Sequence, residues 1–238
     1  MKITAISDLH GILPPVEQIG YTDYLLIAGD ILPLNVQNDD YESYRWLELK
    51  FNSWCEELVS KFGGFNTKET KIIVVCGNHD FLFEHIAKDK TYRKVKWHKN
   101  VTYLENEFYN DNYVEIFGTP YSHKYGRWAW MPSEEAQNEM FDKVHFAHDG
   151  RLSIVLSHDA PFGVSDICQQ ETSWNTFQHI GNPSMNPMIE RETPDLLIHG
   201  HLHSSNHEME KLHMTSVVNV AYLNEDYKPF YKPFVFQF

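Results

Sequence analysis

"CGNHD", residues 76–80, runs directly on from the apolar stretch Ile72-Ile73-Val74-Val75. A buried strand that ends in a turn wants a glycine and tolerates Asn or Asp beside it. It has no structural use for an amide, an imidazole and a carboxylate in succession. The same thing happens at four other points. Ile3–Ile6 ends in Ser7-Asp8-Leu9-His10, and Leu25–Ala28 ends in Gly29-Asp30. Ile154–Leu156 ends in Ser157-His158-Asp159, and Leu196–Ile198 ends in His199-Gly200-His201-Leu202-His203. In open α/β sheets, ligands bind beyond the carboxyl ends of the strands. Five such strands side by side would bring these groups to one place.

The rest of the chain fits a layered α/β protein. Further strands are expected at Tyr113–Phe117, Thr215–Val220 and, as an edge strand, within Phe230–Phe238. The closer spacing of the later strands predicts that part of the sheet structure is antiparallel. Tyr44, Leu47, Phe51, Trp54, Leu58 and Phe62 recur at spacings of three and four and draw one apolar helical stripe. Asp39 or Asp40 would cap its start and Gly63-Gly64 its end. A second helix is expected after Ser133, and a third over Ser184–Glu192. Residues 121–131 ("YSHKYGRWAWM") have no clean period and read as a long, functional loop.

The 238 residues show no Pro/Gly/Ser linker, charge run or repeat, so one domain over residues 1–238 is expected. No apolar run approaches the length of a membrane helix, and the N-terminal segment does not read as a signal peptide. Cys55, Cys76 and Cys168 form no C-x-x-C pair. Together these predict a cytoplasmic protein without a disulfide framework. A formal net charge of −13 repels polyanions and argues against nucleic acid as the main partner. Against that background, 14 histidines are many.

Asp8, His10, Asp30, Asn78, His158, His201 and His203 are too many donors for one tetrahedral ion, and suit two divalent cations sharing a carboxylate. Mixed His/Asp/Asn ligation without thiolate points to Mn²⁺, Fe²⁺ or Zn²⁺. Asp8 and His10, and likewise His201 and His203, would point the same way if the chain there is extended.

The ordered series D-x-H, G-D, G-N-H-D, H and G-H-x-H resembles the calcineurin-like metallophosphoesterase superfamily, over Asp8 to His203. The resemblance implies a four-layer αββα sandwich with two central mixed β-sheets flanked by helices. It implies that Asp8, His10 and His203 hold one metal, that Asn78, His158 and His201 hold the other, and that Asp30 bridges them. His79 would donate to the phosphate or leaving oxygen, and Asp80 would orient it. Gly29, Gly77 and Gly200 would allow sharp turns before the ligands. The reaction implied is hydrolysis of a phosphodiester or phosphomonoester by a metal-bridging hydroxide.

The substrate is expected to be small and phosphorylated. The second motif, Gly29-Asp30-Ile31-Leu32-Pro33-Leu34-Asn35, lacks the arginine of the superfamily's protein phosphatases, and the third ends in Asp80 where they carry Glu. Ser157–Gly163 is similar to the T-H-G-P-P-x-G of small phosphodiesterases, with Asp159 and Ala160 replacing Gly and Pro. Tyr121, His123 and Trp128 are candidate substrate contacts, and Trp130 a further ring for stacking on a base. His179 lies in a segment that could reach the site, and His199 reads as a core or supporting residue. The rival readings are a non-catalytic metal-binding scaffold on the same fold, or a protein phosphatase or nuclease of the superfamily.

Overall fold

A computed structural model describes residues 1–62, 69–169 and 177–238. In chain order the strands are β1 (Lys2–Ile6), β2 (Tyr24–Ala28), β3 (Lys71–Val75), β4 (Val101–Tyr103), β5 (Glu107–Asn110), β6 (Val114–Thr119), β7 (Leu152–Ser157), β8 (Ile167–Gln169), β9 (Phe177–His179), β10 (Leu196–His199), β11 (Glu210–Leu212), β12 (Thr215–Asn219) and β13 (Phe234–Gln237). The α-helices are α1 (Val16–Ile19), α2 (Asp40–Arg45), α3 (Asn52–Phe62), α4 (Phe81–Lys88), α5 (Glu134–Phe141) and α6 (Asn186–Glu192).

One large sheet has the order β13-β1-β2-β3-β4 and the other β11-β12-β10-β7-β6-β5, while β8 and β9 form a small hairpin. Both large sheets are mixed. β1 to β4 run parallel, and β13 joins antiparallel at the edge. In the second sheet β12, β10, β7 and β6 are parallel, and only the edge strands β11 and β5 are antiparallel. The antiparallel pairing expected for the later strands is therefore confined to the sheet edges and the β8–β9 hairpin. Helices α5 and α6 in the connections supply the crossovers that parallel neighbours need.

The layering follows from the two-residue period of the strands. Tyr24, Leu26, Ala28, Ile73 and Val75 face Ile116, Ile154, Leu156 and Ile198 of the opposite sheet in one buried core. Their alternates Leu25, Ile27, Ile72 and Val74 pack outward on Leu47, Phe51, Trp54 and Leu58. On the far side Phe117, Val155, Leu197 and Val217 pack on Phe141, Met188 and Ile189. The result is the expected four layers, helix, sheet, sheet, helix.

The long helical stripe runs from α2 through a π-turn over Trp46–Phe51 into α3. Asp39 is the cap: its carboxylate accepts from the Glu42 N–H at 3.0 Å. The expected terminator Gly63-Gly64 lies outside the described residues. Ser133 caps α5, accepting from the Ala136 N–H at 3.3 Å. The third expected helix begins as a 3₁₀ turn, Pro183–Met185, and continues as α6. Residues 121–131 carry no regular helix or strand. Among the described residues, no helix is long and apolar enough to cross a membrane. The three cysteines are unpaired.

Candidate metal centre

The carboxyl ends of β1, β2 and β3 meet those of β7 and β10 along the seam between the two large sheets. Backbone hydrogen bonds fix the ends to one another: Asp8 N–H to the Gly29 carbonyl at 3.1 Å, His10 N–H to the Asp30 carbonyl at 2.9 Å, and Gly200 N–H to the His158 carbonyl at 3.0 Å. Space at the seam is minimal. A Cβ on Gly77 would lie 2.2 Å from Asp30 Oδ1, and one on Gly200 would lie 2.1 Å from Asp8 Oδ2. These two glycines serve close approach; of the three expected sharp turns, only Gly29 needs positive φ, at 98°.

The expectation of extended chain around the ligands is not met. Asp8, His10, Asp30 and His201 all have left-handed φ, at 54°, 41°, 50° and 70°. Such conformations are costly for non-glycine residues and gather at functional sites. Four of them within one cluster curl the strand ends so that each side chain turns back to the seam.

Three overlapping sets of donor atoms result, each with all its atoms within 4.8 Å of one another: Asp8, His10 and His203; His10, Asp30 and His79; Asp8, Asp30 and His158. His203 Nδ1 donates to the Asn224 carbonyl at 3.0 Å, which leaves Nε2 facing Asp8 Oδ1 at 3.3 Å. His158 Nδ1 donates to the Ala28 carbonyl at 2.9 Å. Nε2 then faces Asn78 Oδ1 at 2.8 Å and Asp30 Oδ2 at 3.5 Å. The ring of His201 stands 5.0 Å from that of His158, and its backbone N–H donates to Asp8 Oδ2 at 2.9 Å. All seven donors named from the sequence therefore converge.

This arrangement fits divalent cations. Burial disfavours the charged form of His158, so its Nε2 carries a lone pair, as do the Asn78 and Asp30 oxygens it faces. Three potential ligand atoms converge, and without a cation a proton on Asp30 is what relieves them. Among the described residues, neither buried ring nitrogen of His10 has a hydrogen-bond partner, which buried imidazoles rarely tolerate, although Nε2 stands 3.6 Å from Asp30 Oδ2. Burial, then the charges of Asp80 and Asp8, hold the Asp30 carboxyl well above its usual pKa. Burial pushes Asp8 up, but its hydrogen bond to His203 and the nearby imidazoles outweigh this and hold it low. His203 is pushed down by burial and raised further by Asp8, to about 9. A cation among them would take over the compensating role that protons otherwise fill.

His79 stands at the rim, its ring 5.0 Å from that of His10 and 4.4 Å from that of Trp128. Burial, and then the nearby His158, lower its pKa to about 4. The expected partnership with Asp80 is absent. His79 Nδ1 instead donates to Gln37 Oε1 at 2.6 Å. The Asp80 carboxylate turns away and accepts from Ile31 N–H at 3.1 Å, Leu32 N–H at 2.9 Å and Gly77 N–H at 2.9 Å. Adjacent side chains in a turn diverge, so Asp80 ties the Asp30 loop to the Gly77 turn and does not orient the imidazole.

The expected substrate contacts divide three ways. Trp128 lines a cavity of about 260 Å³ together with His10, Asp30, His79, His201 and His203. His123 lines an adjoining cavity of about 500 Å³ that shares Tyr125, His201 and Glu225 with the first. Tyr121 lines neither; it packs on the helix-side core. Trp130 is likewise buried in that core. A cavity of about 650 Å³ lies elsewhere, around Tyr24, Lys71 and Tyr109, and holds none of the donors. His199 is buried, as expected of a core residue.

Sequence reasoning missed several neighbours of the centre. Tyr125 Oη accepts from Asn78 Nδ2 at 3.3 Å. Tyr227 sits edge-on to His10 and His203, with ring centroids 4.9 and 5.4 Å away. Asn224 holds His203, and Gln37 holds His79. Tyr125 falls in the loop marked as functional; the others carry no motif.

A family model described as calcineurin-like phosphoesterase matches residues 1–205, which include all seven donors and His79. The chain belongs to the calcineurin-like phosphoesterase family. That makes it a member of a class of metal-dependent phosphoric ester hydrolases acting on phosphoester substrates. It is 23% identical to the UPF0046 protein T07D4.2 of Caenorhabditis elegans over 85% of this chain, but spans only 51% of that protein. It is 27% identical to the uncharacterized protein MJ1162 of Methanocaldococcus jannaschii, covering 92% of this chain and 87% of that one. The crystal structure of TT1561 of Thermus thermophilus has the same fold, with a TM-score of 0.55 at 14% identity, covering 92% of this chain and 88% of that one. In this phosphoesterase, Asn224, Glu225 and Tyr227 lie beyond the matched residues yet reach the centre.

Proposed function

We propose that the protein is a binuclear metal-dependent phosphoesterase that hydrolyses a small phosphodiester or phosphomonoester, with nucleotides among the candidate substrates. Asp8, His10 and His203 would hold one cation, Asn78, His158 and His201 the other, with Asp30 between. The observation that carries this reading is the convergence of His158 Nε2, Asn78 Oδ1 and Asp30 Oδ2, three potential ligand atoms in a buried site. Bound there, two divalent cations would supply positive charge to the phosphoryl oxygens and acidify the attacking water.

The chain's own residues do the remainder. Backbone carbonyls of Ala28 and Asn224 fix the tautomers of His158 and His203, so their Nε2 atoms are presented as ligands. Gln37 fixes His79, whose other nitrogen is left for the departing oxygen. An incoming phosphoester brings negative charge that favours the imidazolium form, and donation from it is worth about 10²–10⁴-fold. Mn²⁺, Fe²⁺ or Zn²⁺ suits the ligand set. We also read the chain as one domain, supported by β13, which returns to close the first sheet beside β1. The free cysteines favour a reducing, cytoplasmic setting. The net charge of −13 disfavours nucleic acid.

The test is hydrolysis of bis-p-nitrophenyl phosphate and p-nitrophenyl phosphate with Mn²⁺ and with chelator. Metal-dependent turnover supports the enzyme, and the ratio of the two rates gives diester against monoester preference. No turnover with any of several divalent metals favours the scaffold reading instead.

A further inference from the structure

The 500 Å³ cavity beside the metal centre is lined by both His201 and His179. His179 is held by a buried carboxylate: its Nδ1 lies 2.5 Å from Asp166 Oδ1. Asp166 is fully buried, and its other oxygen accepts from Gly163 N–H at 2.9 Å and Gly181 N–H at 3.0 Å. Because a carboxylate only accepts, the His179 proton sits on Nδ1. In the neutral imidazole Nε2 is then left as an acceptor on a ring that lines the cavity.

We propose that His179, set by Asp166, is a specificity-determining residue that accepts a hydrogen bond from the organic group of the substrate. The inference rests on the phosphoesterase reading, and it narrows the substrate class. A phosphoryl group at the metal centre leaves its ester substituent to enter the adjoining cavity. There Tyr125 and Phe162 offer ring faces or edges, while His179 Nε2 and the Glu225 carboxylate offer acceptors. Among the described residues, no lysine or arginine lines either cavity, so a second phosphate would find no fixed cation there. The substituent that fits is a ring-bearing alcohol, uncharged or cationic, carrying hydroxyl or amino donors. A nucleoside is one such group; a polyphosphate chain is not.

The experiment is calorimetric binding of three probes to the Mn²⁺-loaded protein: adenosine 5′-monophosphate (ring and donors), phenyl phosphate (ring, no donors) and inorganic phosphate. Turnover of bis-p-nitrophenyl phosphate is measured alongside. In the wild type, adenosine 5′-monophosphate should bind most tightly. His179→Ala should weaken it about three- to tenfold, the worth of one neutral hydrogen bond, and leave the other two probes within about twofold. His179→Gln, which restores an acceptor, should recover part of the loss. Asp166→Asn should weaken the same probe by releasing the ring. Equal weakening of all three probes, an unchanged nucleotide affinity in His179→Ala, or a wild type that binds none of them would overturn the proposal. Absent turnover with intact probe selectivity would count against the hydrolase reading alone.

Discussion

Gly77→Ala is a one-carbon perturbation whose consequences the packing fixes. The added Cβ would lie 2.2 Å from Asp30 Oδ1, 2.6 Å from the Asp30 backbone nitrogen and 2.6 Å from His158 Cε1. Ordinary contact needs well over 3 Å, so Asp30 and His158 must each retreat by about 1 Å. The first collision is with a side-chain oxygen, which can rotate. The second is with backbone, which is held by the His10 N–H on the Asp30 carbonyl and by Asp80 on the next two amides. Overpacking of this kind costs about 1–3 kcal/mol, and a misplacement of about 1 Å near reacting groups costs roughly 10²-fold in rate. The expected variant folds with its melting temperature lowered by several degrees, binds fewer than two Mn²⁺ per chain by elemental analysis, and loses about 10²-fold in turnover. Two ions per chain with turnover within about threefold of wild type would refute the claim that this glycine is needed for the approach of Asp30 to His158.

Three further variants separate the roles assigned to single residues. His79→Ala should lower turnover by about 10²–10⁴-fold while elemental analysis still finds the wild-type metal content; unchanged turnover removes His79 from the chemistry. Asp80→Asn places an amide NH₂ against backbone donors, so both stability and metal content should fall, with a cost of about 2–4 kcal/mol by urea denaturation; a loss of turnover alone would restore Asp80 to His79. Asp111 lies far from the centre and accepts from Tyr24 Oη at 2.6 Å and Lys71 Nζ at 2.6 Å. Although burial raises its pKa, these bonds and two backbone N–H groups hold it below the usual carboxylate range. A lowered folded-state pKa gives stability that is present above about pH 4 and lost as pH falls through the folded value. Asp111→Asn should therefore cost about 1–3 kcal/mol at pH 7, and the difference should shrink below about pH 3; a pH-independent cost would contradict this.

The sequence was most legible where burial and chemistry adjoin. β1, β2, β3, β7 and β10 are apolar runs that stop at polar donors, and all five lie where expected. β4 and β5 were not expected because they are short edge strands: β4 is three half-buried residues, Val101–Tyr103, and in β5 Glu107 and Asn110 are exposed and Phe108 is half-buried, so no long apolar run marks either. Helix α4 was missed because it starts at Phe81, directly after the donor motif. Its preceding residue, Asp80, reads as part of that motif and spends its carboxylate on the loop after β2. The seven donors were readable from their residue types, but their geometry was not. The left-handed backbone at Asp8 and His10 replaces the extended spacing that a two-residue interval suggests. Tyr227 reaches the centre from a turn held by Asn224, whose side chain accepts from the Asp226 and Lys228 N–H groups at 3.1 and 3.0 Å. A turn so far along the chain finds His10 only through the tertiary fold.

The central claim, that seven dispersed donors hold a pair of cations, is tested most directly by anomalous diffraction from a crystal soaked in Mn²⁺. Two peaks about 3.5–4 Å apart are expected, one among Asp8, His10 and His203, the other among Asn78, His158 and His201, with Asp30 reaching both. A single peak, or peaks away from the seam between the two sheets, would contradict it.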